Sequence, residues 1–128
     1  MIVEVGMTGS AATLVERADT AQEVGSGSLL VYATPCMVAL MEGAACNALE
    51  GKLAEGETSV GTRMDVQHLA ATPVGMEVRA ESRLTAVDGR RLTFEITAFD
   101  EAGEIGKATH ERVVVKTERF LEKAYAKL

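Results

Sequence analysis

The sequence predicts an α+β fold in which one long helix packs across an antiparallel sheet of about five strands. Three observations predict it. A single long helical run, TPCMVALMEGAACNALEGKL, lies in the first half of the chain. Period-two alternation of apolar and polar residues dominates the second half. The alternating segments are joined by short turns, and antiparallel pairing is the economical way to use them.

Taken in order, the first element is a strand, AATLVER, over residues 11–17, followed by the loose stretch Val24–Ser28 with Gly25 and Gly27. Thr34-Pro35 then announces the helix, with Thr34 as N-cap and Pro35 at the first helical position, and the run carries it to about Leu53. Gly and Ala residues along it permit close approach to a sheet. After a turn at Glu55–Glu57, Val60, Thr62, Met64, Val66 and His68 form one face of a strand, and Arg63, Asp65 and Gln67 form the other. Pro73-Val74-Gly75 interrupts the pattern, which resumes over Met76–Val87. Asp88-Gly89 is a tight-hairpin signal leading into Leu92–Phe99. A loop at Asp100–Glu104 precedes the last strand, Ile105 to about Lys116, and TERFLEKAYAKL closes the chain as a short helix. Neither a repeat nor a linker interrupts residues 1–128, which read as a single domain. A five-stranded antiparallel sheet wrapped around one central helix is the hotdog arrangement.

Composition bounds the function. With 47% hydrophobic and 25% charged residues in 128, the chain is an ordered globular protein able to bury roughly two-thirds of its unfolded surface. Lys and Arg number 13 against 19 Asp and Glu, a net charge of -6, which leaves no broad basic face for nucleic acid. No apolar run reaches the length of a membrane span, and MIVEVGMTGS lacks the pattern of a signal peptide, so the expected location is cytoplasmic. Cys36 and Cys46 lie ten residues apart on the helix, about 15 Å along its axis, too far to pair. Two free thiols fit a reducing compartment.

Several residues are suited to chemistry. Glu42 has helix neighbours Pro35, Val38, Ala39, Ala45, Cys46 and Leu49, none of them charged. A carboxylate on such a face needs a partner, and desolvation raises its pKa toward that of a useful base. The plainer reading is a Glu at the rim of the buried stripe. His68 ends the apolar face of its strand and points where the helix packs, either as a core histidine or as the acid/base partner of Glu42. Thr34 serves as N-cap, and the helix start it marks is also suited to stabilising an oxyanion. It precedes Glu42 by eight residues, about 12 Å of rise, a gap that fits an imidazole or a small acyl group. Gly61 interrupts a strand, as a bulge or as a point of close backbone approach to a ligand. Cys36 near the helix start is a candidate nucleophile with nothing else to mark it. His110 alternates out of phase with Val113 and Val115 and reads as structural or partly exposed.

The segments YATPCMVALMEGAACNAL, SVGTRMDVQHLAATPVGMEV and GRRLTFEITAFDEAGEIGKATHERVVV are similar, in order and spacing, to the hotdog-fold thioesterases resembling fluoroacetyl-CoA thioesterase. The resemblance runs from about Tyr32 to Val115. It implies a catalytic set of Thr34, Glu42 and His68, with Gly61 of the V-G-T segment and Arg112 of the H-E-R segment in substrate binding. It also implies a homodimer with active sites near the subunit interface, the tetramer being left open. The fluoroacetyl-selective member carries a bulky aromatic gate before the helix, where this chain has Gly25-Ser26-Gly27-Ser28-Leu29-Leu30.

The resulting expectation is hydrolysis of an acyl-CoA or related acyl thioester to a carboxylate and a free thiol, without metal or redox cofactor. His68 and Glu42 would activate Thr34 or a water. Two rivals are a hotdog dehydratase or hydratase, which also pairs a His with a helix carboxylate, and a non-catalytic module that binds an acyl thioester.

Overall fold

The computed structural model describes all 128 residues. Five strands form one antiparallel sheet: β1 (Thr8–Leu14), β2 (Glu57–His68), β3 (Glu77–Asp88), β4 (Arg91–Asp100) and β5 (Glu104–Lys116). Their order is β1-β3-β4-β5-β2, so β1 and β2 are the two edges. A one-turn helix, α1 (Ala21–Val24), precedes the long helix α2 (Thr34–Ala48), and α3 (Thr117–Tyr125) closes the chain. This is the expected α+β hotdog architecture, the sheet curling around α2. No helix is long and apolar enough to cross a membrane.

The core lies between α2 and the inward face of the sheet. Met37, Met41, Ala44, Ala45 and Ala48 of the helix are buried against Val78, Ala80 and Leu84 of β3, Leu92, Phe94, Ile96 and Ala98 of β4, and Ala108 and Val114 of β5. The alternation of buried and exposed residues along β3 and β4 follows directly from strand geometry. Small residues let the helix descend onto the sheet: a Cβ on Gly9 of β1 would run into the Ala44 carbonyl and the Ala48 amide of α2. The contact is fastened by Ser82 of β3, whose hydroxyl donates to the Ala44 carbonyl at 2.8 Å, and by Asn47, whose Oδ1 accepts from the Ser10 amide at 3.0 Å.

Element ends differ from expectation where tertiary partners decide them. The first strand covers Thr8–Leu14 rather than residues 11–17, because its ladder with β3 runs from Thr8 opposite Arg83 to Leu14 opposite Glu77. Beyond it, the Asp19 carboxylate accepts from the Glu16 amide at 2.9 Å and turns the chain into a 3₁₀ segment, Arg17–Asp19. Val24–Ser28 begins as the end of α1, and the amides of Gly25 and Ser26 both donate to the Ala21 carbonyl. Helix α2 stops at Ala48, short of Leu53, because the chain turns through Gly51 at a φ of 73°. In the β3–β4 hairpin Asp88 pairs with Arg91, so the two turn residues are Gly89 and Arg90, and only Gly89 has a positive φ.

Candidate active site

Thr34 is the first helical residue of α2, and Ala33 is the N-cap. The expected capping role fails because the Thr34 hydroxyl is engaged elsewhere: its Oγ1 lies 2.8 Å from Nδ1 of His68 at the end of β2. Pro35, at the second helical position, still marks the helix start. The loop leading into the helix is tied down by bridges from Thr20 to Tyr32 and from Val31 to Pro73, with the Tyr32 amide donating to the Thr72 carbonyl at 2.8 Å. Tyr32 is buried and meets the His68 ring edge-on, with centroids 6.5 Å apart.

His68 is half-buried, and desolvation pulls its pKa below the ordinary imidazole value. The ring is therefore neutral near pH 7, and Nδ1 is able to accept the Thr34 hydroxyl hydrogen. Its Nε2 is shielded from solvent and has no hydrogen-bond partner in the chain. A cleft of about 300 Å³, lined by Ala21, Tyr32, Thr34, His68, Leu69 and Ala71 among others, opens beside the pair. Thr34 itself is exposed, so the hydroxyl is accessible.

Glu42 sits in a different environment. Its carboxylate does not meet His68; Oε2 accepts from Arg112 Nη1 at 3.3 Å and lies 3.8 Å from Nε2 of His110. Two turns of α2 separate it from Thr34, about 12 Å of rise, and the His68 imidazole packs on Thr34 without bridging that gap. The side chain retains 41% exposure in the single chain, so its expected desolvation on an apolar face is not realised. The uncharged helix neighbours were read correctly, but the strands opposite supply the charge that the helix lacks.

Those strands place a buried arginine under Glu42. Arg112 of β5 is 6% exposed, and its Nε donates to Ser59 Oγ at 2.8 Å and its Nη2 to the Ser59 carbonyl at 3.0 Å. His110, two residues earlier on the same face, is 1% exposed. It is therefore a core residue and not partly exposed: His110, Arg112 and Val114 point inward, while Val113 and Val115 are only half-buried on the other face. Taking Val113 and Val115 as the inward positions inverted the phase of the strand.

Gly61 explains how three side chains fit. Between Gly61 and Arg63 the register of β2 against β5 shifts, a bulge that places Ser59 and Gly61 on the inward face together with Met64, Val66 and His68. Val60 and Thr62 are thereby removed from the face to which alternation assigned them, and the Thr62 hydroxyl bonds to the Glu111 carbonyl. A Cβ on Gly61 would sit 2.5 Å from Glu42 Oε2, 3.1 Å from His110 Cε1 and 3.3 Å from Arg112 Nη1. Cys36 is half-buried, and desolvation pushes its thiol pKa up, away from nucleophilic use.

The chain thus holds two constellations, Thr34–His68 at the end of β2 and Glu42–Arg112–His110 around Gly61 within the first half of the same strand. A family model for fluoroacetyl-CoA-specific thioesterases matches residues 15–118. A fluoroacetyl-CoA thioesterase of Streptantibioticus cattleyicolor is 45% identical over 97 residues, spanning 76% of this chain and 70% of the relative. A solved structure of fluoroacetyl-CoA thioesterase superposes with a TM-score of 0.92 at 36% identity, covering 98% of each chain. A hot-dog-like protein from Thermanaerovibrio acidaminovorans superposes with a TM-score of 0.87 at 27% identity, covering 97% of this chain and 92% of the other.

Proposed function

The chain belongs to the fluoroacetyl-CoA-specific thioesterase family and hydrolyses an acyl-CoA thioester, and we propose that it does so at a site combining Thr34 and His68 of one subunit with Glu42 of the partner subunit. The observation that carries this reading is the 2.8 Å contact between Thr34 Oγ1 and His68 Nδ1 beside an open cleft. A neutral imidazole against a hydroxyl is the arrangement of a general base with its nucleophile, or with the group that orients an attacking water. The carbonyl carbon gains an oxygen, the C–S bond breaks, and the departing sulfur takes a proton to leave as free CoA.

Two features support an assembled site. Within one chain the His68 imidazole packs on Thr34, while Glu42 turns to Arg112 and His110, so the Glu42 carboxylate has no contact with the Thr34–His68 pair. The twelve residues of β2 form a sheet edge, an exposed ladder that a second copy satisfies by antiparallel pairing. A two-fold axis between Met64 and Asp65 of β2 would bring His68 beside the partner subunit's Gly61, and so beside the partner subunit's Glu42. In a homodimer of this kind the two constellations of the chain become two complete sites.

Gly61 and Arg112 then border the acyl thioester, Arg112 as the cation behind the Glu42 carboxylate. The segment Gly25–Leu30 carries no aromatic side chain, which supports a substrate range wider than the fluoroacetyl group. The test is free-thiol release from a panel of short, branched, medium and aryl acyl-CoAs, with Thr34→Ala, Glu42→Ala and His68→Ala beside the wild type. Loss of release in all three folded variants is expected. Undiminished release in any of them removes that residue from the site, and mixing Thr34→Ala with Glu42→Ala subunits restores part of the activity only if the site spans two chains.

A further inference from the structure

We infer that His110 is a positioning residue for this reaction: from inside the core it fixes the Arg112 guanidinium, which holds the Glu42 carboxylate in place. The inference rests on the role proposed above for Glu42. It starts from hydrogen-bond direction. Nδ1 of His110 lies 2.7 Å from the Arg63 carbonyl oxygen, which only accepts, so Nδ1 carries the ring hydrogen. Nε2 is then a bare lone pair, and it faces Arg112 Nη1 at 3.1 Å.

The guanidinium is gripped along its whole edge. Nε and Nη2 donate to the hydroxyl and carbonyl of Ser59 on β2, and one Nη1 hydrogen goes to His110. The remaining Nη1 hydrogen is left to aim at Glu42 Oε2, 3.3 Å away. The planar fork allows no other orientation while those bonds stand. The charged groups facing His110 are few: Glu42 from α2 and Arg112 from its own strand, while β2 offers the Arg63 carbonyl and β4 the Phe94 ring, with centroids 6.4 Å apart. Burial keeps the imidazole neutral, as it must be for Nε2 to accept from a cation.

Two substitutions separate this role from simple filling of the core. In His110→Asn the amide reaches the Arg63 carbonyl but not Arg112; in His110→Gln the longer side chain returns an acceptor to Arg112. With both proteins folded, kcat is expected to fall roughly tenfold or more in His110→Asn, with KM within about threefold, since a misplacement near 1 Å costs up to about a hundredfold. His110→Gln is expected to recover most of that loss. Wild-type kcat in His110→Asn overturns the inference, as does equal impairment of the two variants. Glu42→Ala, measured alongside, distinguishes the failures: if it turns over normally the site reading itself falls and takes this inference with it, whereas its loss beside a fully active His110→Asn sinks the inference alone. Nitrogen NMR of the unmodified protein needs no variant to fold: a hydrogen on Nδ1 and none on Nε2 is expected, and the opposite tautomer refutes the proposal.

Discussion

Gly61→Ala puts the smallest possible probe into the Glu42–Arg112–His110 cluster. The added Cβ would lie 2.5 Å from Glu42 Oε2, so the carboxylate must retreat by about 0.9 Å to reach the 3.4 Å of ordinary contact. Its bond to Arg112 is already 3.3 Å long, and such a retreat breaks it. His110 Cε1 and Arg112 Nη1, at 3.1 and 3.3 Å from the new atom, must each give by a few tenths of an ångström. With Glu42 in the role proposed for it, a displacement near 1 Å predicts a fall in kcat/KM of roughly 10- to 100-fold.

Stability moves far less in the same variant. The atom that gives way most is the free end of a half-exposed side chain, and because Arg112 keeps its bonds to Ser59 and His110 the lost contact costs about 1 kcal/mol. The φ of Gly61 is not positive, so alanine is not strained there and gains about 0.4–1 kcal/mol through the unfolded state. The two effects nearly cancel, and the shift in Tm is expected to stay within about 5 °C. Thiol release and a thermal melt on one preparation check both halves. Wild-type turnover in Gly61→Ala would refute the reasoning, because Glu42 would then not need its observed position; collapse of the fold would refute the claim that the crowding is absorbed by a mobile side-chain end.

Three further outcomes follow from the packing and the histidines. Gly9→Ala pushes a Cβ into the backbone of α2, which cannot swing aside, and should destabilise by about 2–3 kcal/mol, a drop of about 10 °C in a melt. Gly43→Ala meets only the Ala11 Cβ, at 3.7 Å, inside a helix where glycine is unfavourable, and should raise stability by about 0.5–1 kcal/mol with thiol release unchanged. His68 and His110 both have pKa values lowered by burial, so they stay neutral in the fold while the unfolded chain takes up protons below about pH 6.5. Their stability contribution is complete above that pH and is lost as pH falls, so Tm should drop between pH 7.5 and pH 5.5. The lowered carboxylates of Glu57 and Asp100 act only at lower pH, and a flat or rising Tm across this window contradicts the assignment.

What the sequence made legible was whatever a single element decides for itself. Alternation along β3 and β4 is set by burial against one helix, and both strands match it. The start of α2 was read to within one residue from Pro35, but not the cap, because the same Thr34 hydroxyl suits an N-cap and an imidazole, and only the position of β2 decides between them. The bulge at Gly61 was visible as a glycine in a strand, yet its effect on the face assignment of Val60 and Thr62 depends on the pairing with β5. Glu42 was recognisable from its uncharged helix neighbours, while its partners Arg112 and His110 lie about seventy residues away on another strand.

The departures from simple pattern are not scattered. An inward-facing Arg112, a core His110 read as structural or partly exposed, and a glycine whose bulge breaks the alternation of β2 all converge on one carboxylate. Each departs from the pattern that gives a stable sheet: an arginine at 6% exposure needs several donors satisfied before its burial stops being costly, and Ser59, His110 and Glu42 supply that between them. An apolar residue in place of Arg112 would pack there with fewer requirements. Departures elsewhere, such as the one-residue shift of the Gly89-Arg90 turn, only adjust where elements end and bury no charge. A polar cluster this costly to bury is a departure from the pattern that gives a stable sheet, and the point at which pattern-reading fails is therefore the point at which the proposed site around Glu42 is built.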